Sequence, residues 1–343
     1  MNISIGIMAY NEERNIATTI GAIADQDLFT TGAHDIEVVC VPNGCRDRTA
    51  EVAEAALAAL RQRHPRAAGR VEVVDRPGKA NAWNRYVHDF ARPETEAFIL
   101  LDADIVFGQP GCLRRVVEEL AAHPEAVVAV DVPLKDIAAK AELSAREKLS
   151  LAASEAQRAG TPKLAGSLYV ARAAALRAIV MPLGLLVEDG FLKAMLLTRN
   201  FTAPEDVRLI VRADDATHYF EAVTDFARWI KHEKRLMTGT AVNILLFEYL
   251  REEVQAGRAA SDVIRRRNAE DADWVAKLAR ERLARSGEVP GAAETIRLPL
   301  TQLGRMPKGR ALRSLPGALI RSVLNLAVAR ACARDLRAGR LAW

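Results

Sequence analysis

Short apolar runs alternate with helix-like segments through the first half of the chain. The strand-length runs cover residues 3–10, 35–44, 71–78, 97–104 and 127–134. Segments with apolar residues at helical spacing follow the first four runs, as in the alanine-rich stretch from residue 48 to residue 64. Because strands that alternate with helices build βαβ units, the pattern predicts an α/β fold with a mostly parallel sheet covered on both faces.

Polar residues collect where the predicted strands end. The polar strand ends are Asn11–Glu12, Asn43–Asp47, Arg76–Lys79 and Asp102–Asp104. In open parallel sheets, ligands bind at the carboxyl ends of the strands, so these four clusters are expected to meet at one edge. The pattern therefore predicts a single ligand site at that edge of the sheet.

The middle of the chain is more helical in pattern, although residues 164–176 read as a strand or turn that leads into a helix. Residues 137–159 predict a long amphipathic helix, and residues 222–285 are helical in spacing and highly charged. Residues 286–294 contain glycine and proline, which is typical of a connector between helices. The sequence contains no internal repeat and no low-complexity tract, so ordinary globular packing is expected throughout.

Asp102 and Asp104 place two carboxylates inside an otherwise apolar run from residue 98 to residue 107. Burying an unpaired carboxylate is costly, so both side chains need a partner. Side chains two residues apart on an extended strand point the same way, which lets both face one cation. Mg²⁺ and Mn²⁺ prefer such oxygen ligands and share their other positions with substrate phosphates. Taken alone, the pair is better explained by capping of a strand end, but the neighbouring polar strand ends favour a metal site.

Composition narrows the class of protein. Of the 343 residues, 50% are hydrophobic and 27% are charged, which is typical of a globular protein and not of a disordered one. The four cysteines lack CxxC spacing, which favours a reducing compartment and gives no sign of a disulfide framework or a zinc site. The first residues lack the signals of a leader peptide, and no apolar stretch approaches the roughly 20 residues of a membrane-spanning helix. A cytoplasmic location is expected.

Charge is unevenly distributed along the chain. From residue 301 onward, nine basic residues stand against one acidic residue, so this tail carries +8 and the preceding residues carry −4 of the net +4. Apolar residues near helical spacing in the tail are Leu315, Leu319, Val323 and Leu326. The tail is expected either to pack on the preceding domain or on a second copy in a homodimer, or to dock on an anionic membrane. Nucleic acid is not expected as a partner, because aromatic residues are rare and no binding motif is present.

Six segments occur in an order that is known from one enzyme family. They read IGIMAYNEERNI, VVCVPNGCRDRTAEVA, RPGKANAWN, LLDADIVF, GSLYVARAAAL and VEDG. Together they resemble glycosyltransferase family two, whose members have the GT-A nucleotide-sugar-binding fold. The resemblance implies a GT-A catalytic domain over residues 1–240 and a helical C-terminal region over residues 241–343 that ends in the basic amphipathic tail.

The resemblance implies a role for each polar strand end. The donor-binding residues that it implies are Tyr10, Asn11, Glu12, Asn43, Asp47, Lys79, Asn84 and Asp102. Asp102 and Asp104 would form the Asp-x-Asp motif that holds Mn²⁺ or Mg²⁺. Many relatives have two acidic residues where this chain has Pro42 and Asn43. The sequence therefore specifies the nucleobase of the donor less clearly, because the neutral amide of Asn43 offers both hydrogen-bond donors and acceptors.

The segment VEDG resembles the acidic motif whose aspartate is the general base in inverting members of the family. Asp189 would take the proton from the acceptor hydroxyl, and Glu188 would orient the acceptor. Capping of the following helix is the alternative, because acidic residues favour helix N-termini. Arg228 and Arg235 compete as the arginine that supports the departing diphosphate. Neither stands in a complete Gln-x-x-Arg-Trp motif, which argues against polymer synthesis.

These features predict a metal-dependent, inverting enzyme of the hexosyltransferase type that uses a nucleotide diphosphate sugar, expected to be UDP-linked. The expected acceptor is a lipid or a cell-envelope glycan precursor, which would place a cytoplasmic enzyme at the inner face of the membrane. A sugar nucleotidyltransferase is one alternative, but MAYNEERNI lacks the Gly-rich basic loop that it needs after the first strand. A non-catalytic nucleotide-sugar-binding protein is the other, and the retained Asp102, Asp104 and Asp189 argue against it.

Overall fold

The computed structural model describes residues 1–136, 162–221, 225–304 and 306–341. The helix predicted over residues 137–159 lies outside these described residues. The fold forms two compact units, of which the first comprises Met1–Met181 and Leu192–Ala222, and the second Pro182–Phe191 and Val223–Trp343. The domain boundary expected at residue 240 falls inside a helix of the second unit. The segment VEDG also belongs to the second unit.

The strands of the first unit form one mixed sheet. They are β1 (Asn2–Ala9), β2 (Asp35–Pro42), β3 (Ala68–Val71), β4 (Ala97–Asp102), β5 (Val106–Phe107), β6 (Val128–Lys135), β7 (Leu168–Arg172) and β8 (Ile210–Phe220). Their order across the sheet is β3-β2-β1-β4-β7-β6-β8-β5. The pairs β1–β2, β1–β4, β2–β3 and β6–β8 are parallel, whereas β4–β7, β6–β7 and β5–β8 are antiparallel. The predicted α/β class is confirmed, with a parallel half that contains β1, β2 and β4.

Helices connect these strands and build the second unit. The helices before residue 182 are α1 (Ile16–Ala24), α2 (Thr49–Arg63), α3 (Lys79–Arg85), α4 (Cys112–Ala122) and α5 (Ala173–Arg177). A π-helical turn at Tyr86–Phe90 and 3₁₀ turns at Asp27–Phe29 and Val207–Leu209 complete this part. The later helices are α6 (Glu188–Leu197), α7 (Phe226–Gln255), α8 (Ala260–Glu270), α9 (Trp274–Ser286), α10 (Ala292–Leu303) and α11 (Lys308–Arg337).

Alternation along β1 directs its side chains to the two faces of the sheet. Ile3, Ile5 and Ile7 are buried on one face, in a core that also contains apolar residues of α1, α2 and α4. On the other face, Gly6 lets the Tyr86 ring approach the strand, because a Cβ at Gly6 would lie 2.3 Å from that ring. Both faces of β1 are therefore covered.

The second unit is helical, as the sequence predicts for the C-terminal region. Lys234 of α7 forms an ion pair with Asp335 of α11, and Thr238 Oγ1 lies 3.1 Å from Cys332 Sγ. These contacts fasten one side of α11 to α7 within the second unit.

Helix α11 qualifies the expectation that no segment is long and apolar enough to span a membrane. Among the described residues, the 27-residue stretch Ala311–Arg337 is long and apolar enough to cross a membrane, by length and composition alone. Of its most apolar part, 33% is buried. Core helices of globular proteins also meet such a requirement, so the length of α11 does not assign it to a membrane.

Candidate active site

The carboxyl ends of β1, β2 and β4 lie side by side in the sheet, and acidic residues gather there. Glu12 and Asp47 lie in the loops after β1 and β2, and Asp102 ends β4. Burial raises the pKa of Glu12, a hydrogen bond from Asn15 opposes this, and the negative charges of Asp104, Asp102 and Asp47 raise the pKa further. These four carboxylates, Glu12, Asp47, Asp102 and Asp104, form one carboxylate cluster.

Lys79 contacts the carboxylate cluster. Its Nζ forms a 2.5 Å ion pair with Asp102 Oδ1 and donates to the Gly166 carbonyl at 3.1 Å. Lys79 is the first residue of α3, and Gly78 before it has a φ of 131°, which favours glycine. The sharp turn at Gly78 thus directs the lysine to the end of β4, where it offers positive charge to an anionic ligand.

The chain turns directly after β4, at Ala103 and Asp104. Thr19 Oγ1 donates to the Ala103 carbonyl at 2.7 Å and holds this turn. Ala103 is buried, whereas Asp104 is exposed. The expectation that an extended strand end directs Asp102 and Asp104 the same way is corrected here, because the strand ends at Asp102. The negative charges of both carboxylates nevertheless raise the pKa of Glu12, after the larger effect of its burial.

The carboxylate cluster fits a divalent cation that a ligand helps to hold. Within the described ranges, no group of three or more His, Cys, Asp or Glu side chains is arranged to bind a metal ion by itself. Mg²⁺ is usually held by one or two carboxylates together with substrate phosphates and water. A cation at Asp102 and Asp104 would also relieve the repulsion that raises the pKa of Glu12.

Two asparagines form hydrogen bonds that connect the loops around the cluster. Buried Asn43 donates from Nδ2 to the Ala9 carbonyl at 2.8 Å and accepts at Oδ1 from the Gly78 amide at 3.0 Å. Asn11 has a left-handed φ of 57°, and its Oδ1 accepts from the Arg46 amide at 2.8 Å. The side-chain amide of Asn43 is thus engaged between two loops of the protein, and its contact with a nucleobase stays a prediction.

Asp47 organises the loop that precedes α2. It accepts hydrogen bonds from the amides of Glu13 and Thr49, both at 3.1 Å, and from the Thr49 hydroxyl. Burial by itself raises the pKa of Asp47, but these hydrogen bonds outweigh burial and hold the pKa below its ordinary value. Asp47 is therefore an anion at neutral pH, and it contributes negative charge to the cluster.

Asn84 and Tyr10 have contrasting surroundings. Asn84 Nδ2 donates to the Met181 carbonyl at 2.9 Å, and its Oδ1 accepts from the Met181 amide at 2.8 Å. This pair of bonds links α3 to the end of the segment that follows α5. Tyr10 directly follows β1 and is exposed, so its ring is open to a planar ligand beside the cluster. The donor-binding roles implied for Asn84 and Tyr10 stay predictions.

A buried chain of three side chains supports the cluster, and the sequence alone did not predict it. His218 Nδ1 donates to Asp131 Oδ2 at 2.7 Å, and His218 Nε2 lies 2.9 Å from Ser167 Oγ. His218 is 0% exposed and Asp131 is 1% exposed. The Ser167 carbonyl accepts from the Asp102 amide at 3.0 Å, so this chain holds the backbone next to the cluster. The available signal was Asp131, a lone carboxylate in the apolar run of residues 127–134.

Glu188 and Asp189 open α6 and belong to the second unit. Asp189 Oδ1 accepts from the amide of Gly190 at 2.8 Å. Asn243 Nδ2 of α7 donates to the Val187 carbonyl at 2.8 Å. A Cβ at Gly239 would lie 2.3 Å from Val187 Cγ2, so glycine is required where α7 passes this segment. Helix α7 therefore positions the backbone just before the acidic pair.

Arg228 and Arg235 are both exposed on α7. Seven residues correspond to about two helical turns, so the two guanidinium groups leave the same side of the helix. Asp225 caps this helix by accepting from the Arg228 amide at 2.8 Å. Both arginines stay candidates for a diphosphate contact, and the structure of the second unit does not favour one of them.

The comparisons with known proteins agree with this arrangement. Residues 4–167 match the family model of glycosyl transferase family 2. No curated protein matches the chain. Among solved structures, the chain is similar to a mannosyltransferase from Pyrobaculum calidifontis in complex with GDP-Man and Mn²⁺, with a TM-score of 0.52 and 18% identity over 94% of this chain and 86% of that chain. At this identity the likeness shows the fold alone.

A weaker likeness joins the chain to glucosyl-3-phosphoglycerate synthase from Mycobacterium tuberculosis. The TM-score is 0.46 and the identity 20%, over 70% of this chain and 77% of that chain. A likeness of this size carries no argument about function. The family match, the mixed sheet and the fold of the mannosyltransferase together confirm the resemblance of the sequence motifs. Residues 4–167 match the model of glycosyl transferase family 2 and the chain shares the fold of the mannosyltransferase, which together support a glycosyltransferase of family 2.

Proposed function

We propose that this glycosyltransferase is metal-dependent and inverting, and that it moves a sugar from a nucleotide diphosphate sugar to an acceptor hydroxyl. The ion pair of Lys79 with Asp102 inside the carboxylate cluster carries the proposal. Oxygen ligands for a cation and a positive charge for a phosphate thus lie within one partly shielded site. The mannosyltransferase of the same fold is described in complex with GDP-Man and Mn²⁺, which supports this class of donor and cofactor.

Asp102 and Asp104 would hold Mn²⁺ or Mg²⁺ together with the diphosphate of the donor. The bound ion would supply electrostatic stabilisation of the charge that develops on the departing diphosphate. Lys79 would contact the same phosphates, since its Nζ already lies 2.5 Å from Asp102. Arg228 or Arg235 would add a further positive charge. Tyr10, Asn11 and Glu12 would bind the nucleoside end of the donor, together with the loop that contains Asn43 and Asp47 and with Asn84 on α3.

Asp189 would take the proton from the acceptor hydroxyl as that oxygen attacks the anomeric carbon. Glu188 would orient the acceptor. The hydrogen bond from Asn243 to the Val187 carbonyl supports this role, because it holds the backbone before Asp189 in one place. If Asp189 acts on the side opposite the leaving group, the anomeric configuration inverts.

For the substrates, we propose a UDP-linked sugar as donor and a lipid or a cell-envelope glycan precursor as acceptor. The basic tail supports an acceptor at the inner face of the membrane, because anionic lipids attract clustered arginines. The donor panel should also contain GDP-linked sugars, because GDP-Man is the donor named for the mannosyltransferase of the same fold.

The decisive experiment is calorimetric binding of UDP, GDP and their sugars, with Mn²⁺ and with a chelator. We expect one nucleotide to bind only with metal, and Asp104→Ala to weaken that binding by about 100-fold, since even supporting residues of metal sites cost roughly 10–100-fold. Glu118→Ala is the matched control, because this carboxylate of α4 is exposed and pairs with Arg114. Equal binding with metal and with chelator, or no binding at all, would contradict the proposed donor site.

A further inference from the structure

Helix α11 turns six of its large aliphatic side chains outward. Most side chains that it buries are small or polar, as are Ala318, Ser322, Asn325, Ala329 and Cys332. The exposed aliphatic residues are Leu312 (73%), Leu315 (38%), Leu319 (49%), Ile320 (62%), Val323 (66%) and Leu326 (38%). A helix at the surface of a globular protein normally turns its apolar stripe toward the core. The six exposed residues are called the outward face of α11 below.

The outward face is one continuous stripe. Leu312, Leu315, Leu319, Val323 and Leu326 recur at spacings of three and four residues, and Ile320 stands three residues before Val323, which places them on one side of the helix. The stripe extends from Leu312 to Leu326, or about 21 Å at 1.5 Å per residue. Contiguous exposed apolar surface of this kind marks a site of interaction with a protein or a membrane, whereas isolated exposed leucines need no explanation.

Arginines border and prolong the outward face. Arg313 lies at its edge, Arg321 lies farther round the helix, and Arg330 and Arg334 continue the stripe at further steps of four residues beyond Leu326. All four arginines are exposed. In the parts of the chain that the structure describes, none of the four forms a salt bridge, so their charges are available to a partner.

The acidic residue of α11 does not neutralise these arginines. Asp335 is engaged with Lys234 of α7 and, at 2.9 Å, with Arg340. Hydrogen bonds from these two cations hold the pKa of Asp335 below its ordinary value. The charge of Asp335 is thus directed to the inner side of α11 and to the end of the chain, and the outward face keeps a positive surrounding.

We propose that the outward face of α11 docks on the surface of an anionic lipid bilayer. Its aliphatic side chains would enter the boundary between headgroups and acyl chains, and Arg330 and Arg334 would bind lipid phosphates. Such a surface offers an apolar layer and negative charge within a few ångströms of each other, which is the combination that this face presents.

The opposite side of α11 explains why the helix lies on the bilayer and does not cross it. Thr238 contacts Cys332 at 3.1 Å, and Asn325 Nδ2 donates to the Thr295 carbonyl of α10 at 2.8 Å. Crossing the bilayer would break these polar contacts and would carry Arg321 into the hydrocarbon region. Docking from one side leaves the second unit intact.

A second copy of the chain fits the outward face less well. A two-fold contact would place the same surface of both copies together, so arginines would face arginines. Like charges in a partly dehydrated contact repel each other, and α11 offers no unengaged carboxylate to compensate. An anionic bilayer covers the aliphatic residues and neutralises the arginines at the same time.

The test is co-sedimentation of the full chain with vesicles, without nucleotide, so that it is independent of the proposed donor site. Vesicles of phosphatidylcholine alone are compared with vesicles that also contain phosphatidylglycerol. We expect at least about tenfold tighter binding to the anionic vesicles, and weaker binding as the salt concentration rises. Equal binding to both vesicles, or no binding of the wild type, would overturn the proposal.

Variants separate the aliphatic and the charged parts of the surface. Leu319→Glu should weaken vesicle binding at least about tenfold. It removes an aliphatic group that would enter the bilayer, and it adds a negative charge that the anionic lipids repel. The matched control is Val207→Glu, which changes a 47% exposed aliphatic residue of the first unit and should leave vesicle binding unchanged. Arg330→Gln combined with Arg334→Gln should remove the preference for phosphatidylglycerol.

Light scattering distinguishes the bilayer from a second copy. We expect a monomer in the absence of vesicles, for the wild type and for Leu319→Glu. A wild-type dimer that Leu319→Glu converts to a monomer would assign the outward face to self-association and would overturn the proposal. Circular dichroism of each variant verifies that the helices are formed, since the substituted side chain is already half exposed.

Discussion

The carboxylate cluster and the outward face of α11 carry opposite charge and arise in different ways. The cluster joins the ends of three strands that are far apart in sequence, and burial together with repulsion from the other members raises the pKa of Glu12. The outward face arises from the spacing of residues within a single helix. The cluster therefore depends on how the sheet is assembled, whereas the outward face depends only on α11 being helical and packed on its other side.

The two surfaces also differ in the buried contacts that hold them in place. Behind the cluster, the buried pair of Asp131 and His218 and the hydrogen bond from Thr19 to the Ala103 carbonyl hold the backbone at the end of β4 and next to β7. The outward face needs no such network, because each of its side chains meets solvent. Substitutions should therefore damage the cluster through distant buried residues, but should damage the outward face only at the residues that form it.

The largest expected effect is on catalysis. Asp189→Asn should lower the rate of sugar transfer by roughly 10²–10⁴-fold, the usual contribution of a general base. Binding of the donor should be unchanged, because the amide has nearly the same shape and the donor contacts are made by other residues. Release of sugar from the donor with an acceptor panel measures the rate, and calorimetry measures binding.

Asp262→Asn is the control for that variant, since Asp262 is an exposed surface carboxylate that pairs with Arg265. It should retain full transfer activity. Unchanged turnover in Asp189→Asn would remove the base assignment and leave helix capping as the role of Asp189.

The next effect is on stability. His218→Phe would remove the 2.7 Å partner of the buried Asp131 carboxylate and leave it the weak 3.9 Å contact with Cys112 Sγ, which should lower the free energy of unfolding by about 3–5 kcal/mol. Urea unfolding measures the change. The double variant Asp131→Leu with His218→Phe should recover most of it, because a buried pair can be replaced by apolar residues. No recovery in the double variant would show that packing, and not the unpaired carboxylate, causes the loss.

A third variant addresses the segment before Glu188. Gly239→Ala would place a Cβ 2.3 Å from Val187 Cγ2, so the free energy of unfolding should fall by about 1–3 kcal/mol and transfer activity should fall with it. Gly21→Ala in α1 is the matched control, because nothing lies within 4 Å of its Cβ position. That control should gain up to about 1 kcal/mol from helix propensity. Equal stability of both variants would contradict the close contact of α7 with Val187.

The smallest expected effect is on the pH dependence of the free energy of unfolding. The pKa of Glu12 is raised above its ordinary value of 4.5, first by burial and then by the neighbouring carboxylates. The folded state therefore binds more protons than the unfolded state as the pH rises from 4.5 through the raised pKa, and stability falls over that window. Glu12→Gln should be more stable than the wild type at pH 7 by a few tenths to about 1 kcal/mol. Calorimetric melting at pH 4 and pH 7 should show this difference at pH 7 only, and Mn²⁺ should reduce it.

Much of the sheet could be predicted from the apolar pattern, because each run was flanked by turn or capping residues. The run at residues 71–78 is the exception, since β3 covers Ala68–Val71 and only an isolated bridge from Asn43 to Val74 follows it. The position of β3 is decided by its pairing with β2, in which Glu37 stands opposite Ala68 and Cys40 opposite Val71. Local sequence carries no information on that pairing.

The supporting residues of the site could not be predicted for a similar reason. Asp131 and His218 are 87 positions apart, and His218 and Ser167 are 51 positions apart. No spacing rule connects residues at such distances. The turn at Asp104 and the engagement of Asn43 with Ala9 and Gly78 also depend on loops that meet only in the folded chain.

By itself, the sequence determined the α/β class, the polar strand ends, the family motifs and the stripe of α11, because all of these follow from residue types at short, regular spacings. The tertiary structure alone decided that Lys79 meets Asp102, that His218 is buried against Asp131, and that the aliphatic side of α11 faces outward. These outcomes depend on which segments pack together, and packing is set by contacts between residues far apart in the chain.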